Sequence, residues 1–314
     1  MAPGEGERFD YVVDTDGTGD YERLQAAIDG AKSFPDDRVS IFVKDGVYDE
    51  KVTIHAWNTK IDLVGESVEN TIVTYDDHFD SIGRGRNSTF FTYTLKVRGN
   101  DFSARNLTVR NAAGPDVGQA VALHVEADRA SFENCRFLGN QDTVYAAGEG
   151  SRQYFDDCYV EGTTDFVFGG ATAVFERCEI HSKSDSYVTA ASTPRSEPFG
   201  FVFDDCTLTA DPEVSEVYLG RPWRDHAHVA FLRSDLGDHV HPAGWHNWSR
   251  PEAEETVTYA EYDNSGPGAW DPDERVPWST ELSPSEAETY TRANVLLRGD
   301  DREHAPHWYR TVTE

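Results

Sequence analysis

The sequence predicts an all-β fold built as a parallel solenoid, and three observations carry that prediction. A short motif, Phe-x-x-Cys-x-apolar, recurs through the middle of the chain. It appears as Phe132-Glu-Asn-Cys135-Arg-Phe137, Phe155-Asp-Asp-Cys158-Tyr-Val160, Phe175-Glu-Arg-Cys178-Glu-Ile180 and Phe203-Asp-Asp-Cys206-Thr-Leu208, with Phe102-Ser-Ala-Arg-Asn106-Leu107 as a variant. All four cysteines occupy the same slot, 23, 20 and 28 residues apart. No helical periodicity separates the motifs. Short strands recurring at this interval without helices read as coils of a solenoid. One coil cannot bury its own inward side chains. Stacking coils about 4.8 Å apart buries each side chain against its equivalents, giving ladders of Phe and Cys. A β-sandwich is the competing architecture, but unrelated strands do not place four cysteines of four in one register.

The elements follow in order from the N-terminus. Residues 1–21 show neither a basic n-region nor an apolar h-region. No signal peptide is therefore expected, and the chain reads as cytoplasmic, or as secreted if a leader has been trimmed. Residues 20–31 place Leu24, Ala27 and Ile28 at helical spacing with Asp20 as the N-cap, a short helix suited to covering the open end of the solenoid. Each motif of the repeat reads as one short alternating strand. Residues 264–278 are rich in Pro, Gly and Asp and read as loop, and residues 286–296 as a short helix after Ser283-Pro284. No linker divides the chain, so residues 1–314 form one domain with about 9–300 as its body.

Charge narrows the function. The 314 residues carry 57 Asp and Glu against 28 Lys and Arg, a net charge of −29. A nucleic-acid binder normally shows a basic face, and the same acidity opposes docking on anionic membranes. No apolar run approaches the roughly 18 residues of a spanning helix. Hydrophobic residues make up 38% of the chain and aromatic ones 12%, a core that disordered chains lack. Only six lysines occur: Lys32, Lys44, Lys51, Lys60, Lys96 and Lys183. An acidic, lysine-poor surface stays hydrated in concentrated salt, where the Debye length falls to about 3 Å at 1 M. A halophilic, haloarchaeal-like source is the expectation, with an ordinary acidic protein as the plain alternative.

Three segments carry polar residues that a solenoid strand does not need: residues 114–123 with Gln119, residues 139–145 with Gln141 and Asp142, and residues 162–170 with Asp165. Asp142 and Asp165 lie 23 residues apart, and Gln119 and Gln141 22 apart, each about one coil. Stacking brings the four onto neighbouring coils of one face. Two adjacent carboxyls push their pKa values apart, which suits one nucleophile and one general acid, and amides beside them can donate to an oxyanion. Capping of solenoid turns by Asp is an equal reading from spacing alone. A fourth segment, Tyr218-Leu-Gly-Arg221-Pro-Trp223-Arg224, adds an arginine able to hold a carboxylate through two bonds and a tryptophan able to stack on a sugar. A turn with a core tryptophan is its plain alternative. Cys158 and Cys178 are candidates for a disulfide between adjacent coils, whose spacing fits Cα distances in disulfides. Buried free thiols are the alternative, favoured for Cys135 and Cys206.

These motifs together resemble the pectin methylesterase (pectinesterase) family, carbohydrate esterases with a right-handed parallel β-helix. The resemblance rests on Gly46-Val-Tyr48-Asp-Glu50, Leu63-Val-Gly65, Gln119-Ala-Val-Ala-Leu123, Gly139-Asn-Gln141-Asp142-Thr, Gly162-Thr-Thr-Asp165-Phe-Val-Phe168-Gly, Leu219-Gly-Arg221-Pro-Trp223, Gly244-Trp245-His-Asn-Trp248 and Tyr290-Thr-Arg-Ala-Asn294, in family order. It implies removal of methyl esters from pectin or methylated oligogalacturonate, with Asp165 as nucleophile, Asp142 as acid and then base, Gln119 and Gln141 at the oxyanion, and Arg221 holding Asp165. Trp223 would stack on the sugar, and Tyr145 and Phe168 would line the spot for the methyl group. Cys158 and Cys178 match a cysteine pair that is disulfide-bonded in some members. No metal and no organic cofactor are implied, and a monomer is expected. Asn140, Thr164 and Gly170 depart from common family residues, which bears on groove shape and methylation pattern. A related β-helix esterase or thioesterase, a silent carbohydrate-binding solenoid, and a pectate lyase or polygalacturonase on a similar fold are the alternatives; no signature of the last two is present. His55, His78, His124, His226 and His228 have no assigned role beyond surface or packing.

Overall fold

The computed structural model describes residues 8–299, 301–304 and 307–309. Residues 1–7, part of the stretch read for a leader, lie outside them. Among the described residues the strands form three parallel sheets, of eleven, eight and seven strands, in which each strand pairs with its counterparts on the coils before and after. The chain visits the sheets in rotation, as in Ala130–Glu133, Arg136–Leu138 and Val144–Ala146, then Arg152–Asp156, Tyr159–Gly162 and Val167–Gly169 on the next coil. This is the right-handed parallel β-helix expected.

Inside, equivalent side chains stack. The rings of Phe132, Phe155, Phe175, Phe203 and Phe231 form one column with centroids 4.8, 4.4, 4.7 and 4.4 Å apart and planes within 10° of parallel. Each is essentially inaccessible to solvent, so each contributes about the 3–5 kcal/mol lost when a core phenylalanine is cut to alanine.

The repeat motif is a corner rather than one strand. In Phe132-Glu-Asn-Cys135-Arg-Phe137 a strand of the first sheet ends at Glu133 and one of the second begins at Arg136. The residue before each cysteine turns the corner in the left-handed region: Asn134 at φ 47°, Asp157 at 51°, Arg177 at 55° and Asp205 at 55°. Asn and Asp adopt that region more readily than most residues, and their recurrence was the unread part of the motif. The four cysteines are buried and free in this structure, and Cys158 and Cys178 are not joined. Each thiol approaches a carbonyl oxygen of the coil before it, Cys158 at 3.6 Å from Phe132 O and Cys178 at 3.5 Å from Phe155 O, while the two thiols also lie within hydrogen-bond reach of each other.

The N-terminal helix is shorter than expected, Leu24–Gly30, with Arg23 at its N-cap position. Its first amides are satisfied from another coil, because the Glu50 carboxylate accepts from Leu24 N at 2.8 Å and Gln25 N at 3.2 Å. That places a negative charge at the positive end of the helix. Asp20, read as the cap, accepts from Val12 N instead. Residues 264–278 hold no helix or strand, as expected. The tail helix is broken into Pro284–Ala287, Glu288–Tyr290 and Arg292–Leu296, restarting where Thr291 caps Asn294 N. This tail covers the outer face of the first sheet, packing Ala287, Tyr290, Val295 and Leu296 on Tyr154, Val174, Val202 and Ala230. His228, without a role in the sequence, fastens it through a 2.9 Å hydrogen bond with the Tyr290 hydroxyl. No helix among the described residues is long and apolar enough to cross a membrane.

The third sheet is left open and carries the groove. Between Thr71–Tyr75 and Leu95–Val97 the chain leaves the coil for a long excursion, and its 3-10 segment Gly85–Phe91 overhangs that sheet.

Candidate active site

Every polar residue selected from the sequence arrives at one cavity of about 400 Å³ on the third sheet. Gln119, Gln141, Asp142 and Asp165 come from the turns leading into it on three successive coils, and Phe168 and Arg221 from its strands. Both aspartates are left-handed, at φ 67° and 52°. Backbone bonds lock one turn onto the next: Asp142 N donates to Thr164 O at 3.1 Å, and Asp165 N to Tyr187 O at 2.8 Å. The carboxyls are thereby held one coil apart, 7% and 6% exposed. Gly169, beside Phe168, has φ 124°, and a Cβ there would lie 2.0 Å from Ala146 O, so only glycine permits this close stacking of the wall.

Arg221 reaches from its strand over Ala190 of the preceding coil, whose small side chain leaves the path open. Its Nε donates to Asp165 Oδ1 at 2.8 Å and Nη2 to Oδ2 at 2.6 Å, the two-bond grip expected. The guanidinium is sandwiched between Tyr187 and Trp248, with ring centroids 4.1 and 3.6 Å away. Burial pushes the Asp142 carboxyl well above the usual carboxylate range, and the Asp165 charge adds to the rise, against a smaller opposing effect of Arg221. Burial also raises Asp165, but the Arg221 hydrogen bonds oppose it directly. Both carboxyls are raised, Asp142 the more strongly, so the pair is unequal and Asp142 is the one that holds a proton more readily. The side-chain amides of Gln119 and Gln141 line the same space and make no hydrogen bond to the described residues, which leaves their N–H donors for a ligand.

The apolar wall is Phe168 and Trp223, 5.8 Å apart, with Phe90 from the excursion. Tyr145 stacks beside Phe168 at 4.5 Å from the coil before, and its ring also lies 5.1 Å from Phe90 and 6.4 Å from Trp223. His124 packs behind Tyr145 in turn, 4.6 Å between rings. Sequence reasoning missed Arg86, Thr89 and Phe90, which lie outside the repeat and carry no coil register. It also missed Tyr187, whose signal was its place in Tyr187-Val-Thr-Ala-Ala, in register with Tyr218-Leu-Gly-Arg-Pro. Trp248 was quoted within a motif but given no task. Among the described residues no group of His, Cys, Asp and Glu has a metal-holding arrangement.

Comparison with known proteins points to one family. A family model described as Pectinesterase matches residues 10–300. Pectinesterase 31 of Arabidopsis thaliana is 38% identical over 297 residues, covering 92% of this chain and 93% of that protein. Probable pectinesterase/pectinesterase inhibitor 23 of the same plant is 36% identical over 303 residues, and there the chain spans about half (52%) of the relative's length. Among solved structures, a pectin methylesterase from carrot superposes with a TM-score of 0.87 at 32% identity, over 94% of this chain and 95% of that one. A pectin methylesterase variant in complex with a hexasaccharide gives 0.81 at 27% identity, over 92% and 97%.

Proposed function

The chain belongs to the pectinesterase family, and from that premise we infer that it removes methyl esters from pectin, leaving pectate and methanol, through Asp165 and Asp142. The observation that carries the reading is the two-bond grip of Arg221 on one of two buried carboxyls a single coil apart. It makes the pair unequal, as a nucleophile and an acid must be. An Asp165 oxygen attacks the ester carbonyl carbon of a methylated galacturonate. The oxyanion that forms accepts hydrogen bonds from Gln119 and Gln141. Its collapse breaks the bond to the methoxy oxygen, which takes the Asp142 proton and leaves as methanol. The sugar carboxyl is now joined to Asp165 as an anhydride. Asp142, now ionised, takes a proton from water. The resulting hydroxide attacks the anhydride and Asp165 leaves as carboxylate, so the proton taken from water leaves Asp142 ready for the next cycle. Trp223 stacks on a sugar ring, and Phe168 and Tyr145 side by side face the methyl group.

Highly esterified citrus pectin tests this. Methanol and free acid are expected in equal amounts; no methanol at any salt concentration contradicts the reading, and unsaturated products absorbing in the ultraviolet would indicate a lyase. The halophilic source belongs to the same proposal, supported by the net charge of −29 and the six lysines. Activity and thermal stability are expected to rise with KCl, and full stability in dilute buffer contradicts that part alone.

A further inference from the structure

Among the described residues three large hydrophobic side chains are exposed: Phe34 at 69%, Val47 at 57% and Trp57 at 46%. Two of them meet, because Phe34 N donates to Trp57 O at 2.7 Å. Phe34 stands in the left-handed region at φ 48°, which a bulky residue seldom adopts. The His55 imidazole covers one face of the Trp57 indole, 4.5 Å away and within 14° of parallel. Asp29 steadies His55, with Oδ1 3.5 Å from Nε2. The exposure of Trp57 is therefore on the opposite face and edge of its ring. An indole fixed on one side and open on the other, with a second ring beside it, suits the C–H face of a pyranose.

The patch lies outside the catalytic cavity, which neither ring lines. Trp57 follows Val52–Ile54, the terminal strand of the groove-bearing sheet, on the corner leading to Ile61–Gly65 of the first sheet. Asp142 precedes its strand, Val144–Ala146, which is three strands away. At about 4.8 Å per strand plus the strand length, the two places are on the order of 20 Å apart. Charge selects the ligand. Asp29, Asp36 and Asp37 outnumber Lys32 and Lys60 around the rings. Lys32 pairs with Asp36 at 2.9 Å, Lys60 donates to the Asp36 carbonyl oxygen at 2.7 Å, and Arg38 is taken up by Asp62 at 2.9 Å. The carboxylates offer acceptors to sugar hydroxyls and repel a free uronate. A methyl-esterified galacturonate brings hydroxyl donors and an apolar face without a charge.

We propose that Phe34 and Trp57 form a second, non-catalytic binding site for methyl-esterified galacturonate, occupied by the same polymer whose other units fill the catalytic groove. The proposal takes the identity of the sugar from the pectin-esterase reading and goes beyond it. A chain held at both places meets the catalytic groove at a raised effective concentration, and a stretch that has lost its esters is released from the second site.

The test compares wild type with Trp57→Ala, Phe34→Ala and the double variant on highly esterified pectin and on a methylated trigalacturonate, which is too short to span the two places. The KM for pectin is expected to rise about two- to tenfold per ring, the range for a stacking contact, with kcat unchanged and partial recovery in Trp57→Tyr. The KM for the trimer should stay at the wild-type value, which also reports an intact fold. An unchanged pectin KM in the double variant, or an equal rise on the trimer, overturns the proposal. Electrophoresis through gels containing polymer reads binding without turnover, in Asp165→Asn with and without the two alanines. Retardation by esterified pectin should weaken when the rings are removed, and pectate should retard neither protein. Equal retardation by esterified pectin, or stronger retardation by pectate, overturns the proposal. So does self-association of the wild type that the double variant loses while its pectin binding is kept, which would assign the patch to a second copy of the chain. Absence of methanol with wild type would count against the esterase reading, and the gels would still decide this one.

Discussion

Asp165→Asn is expected to lower methanol release from esterified pectin at least ~10⁴-fold while binding of the polymer survives. The change keeps the shape of the side chain and replaces one oxygen by an amide that cannot attack a carbonyl. Binding persists because Trp223, Phe168 and the overhanging Phe90 are untouched. The substitution does remove the negative partner of Arg221, which is 17% exposed at its side chain and loses both of its short hydrogen bonds to a carboxylate. Its sandwich between Tyr187 and Trp248 remains, so the guanidinium is not left without support. Retention of the wild-type rate would mean that another group is the nucleophile.

Asp142→Asn is expected to cost about 10²- to 10⁴-fold in kcat, the usual contribution of a positioned acid and base. It separates from a folding defect through the sign of its stability effect. Burial and the neighbouring Asp165 raise the folded-state pKa of Asp142 above its unfolded value. The protonated carboxyl therefore contributes stability that is present at low pH and lost as pH rises through that folded pKa. Asparagine cannot ionise, so the variant should unfold at the wild-type temperature or higher in alkaline buffer while remaining inactive. The same two groups set the pH profile. The rate falls in acid as Asp165 takes up a proton and falls in base as Asp142 loses its own. Asp142→Asn should abolish the alkaline limb in whatever residual activity remains. A variant that is inactive and also destabilised in alkali would show that Asp142 holds the fold rather than the proton.

Much of this site was legible in the sequence because a solenoid converts spacing into position. The 23 residues between Asp142 and Asp165 are one coil, and the structure places both at one cavity, with Gln119 and Gln141 beside them. The phenylalanine column followed from the same arithmetic. What escaped is what the repeat does not index. Phe90 and Arg86 sit on an excursion with no counterpart on other coils. Glu50 caps a helix 26 residues away by tertiary contact, and no local cap residue announces it. The corner before each cysteine was hidden because a strand pattern and a strand-turn-strand pattern share the same alternation, and only φ separates them. Coil spacing suits a bridge between Cys158 and Cys178, and their thiols do come within hydrogen-bond reach of each other, unjoined in this structure. The thiols also approach the carbonyl oxygens of Phe132 and Phe155.

Rapid mixing of the enzyme with methylated oligogalacturonate, an acid quench, and mass measurement of the peptides test the central claim most directly. A transient adduct of one oligogalacturonyl group is expected on the peptide carrying Asp165, formed together with a burst of methanol and absent in Asp165→Asn. An adduct on any other residue, or a burst of methanol from the wild-type enzyme with no adduct on the Asp165 peptide, would contradict it.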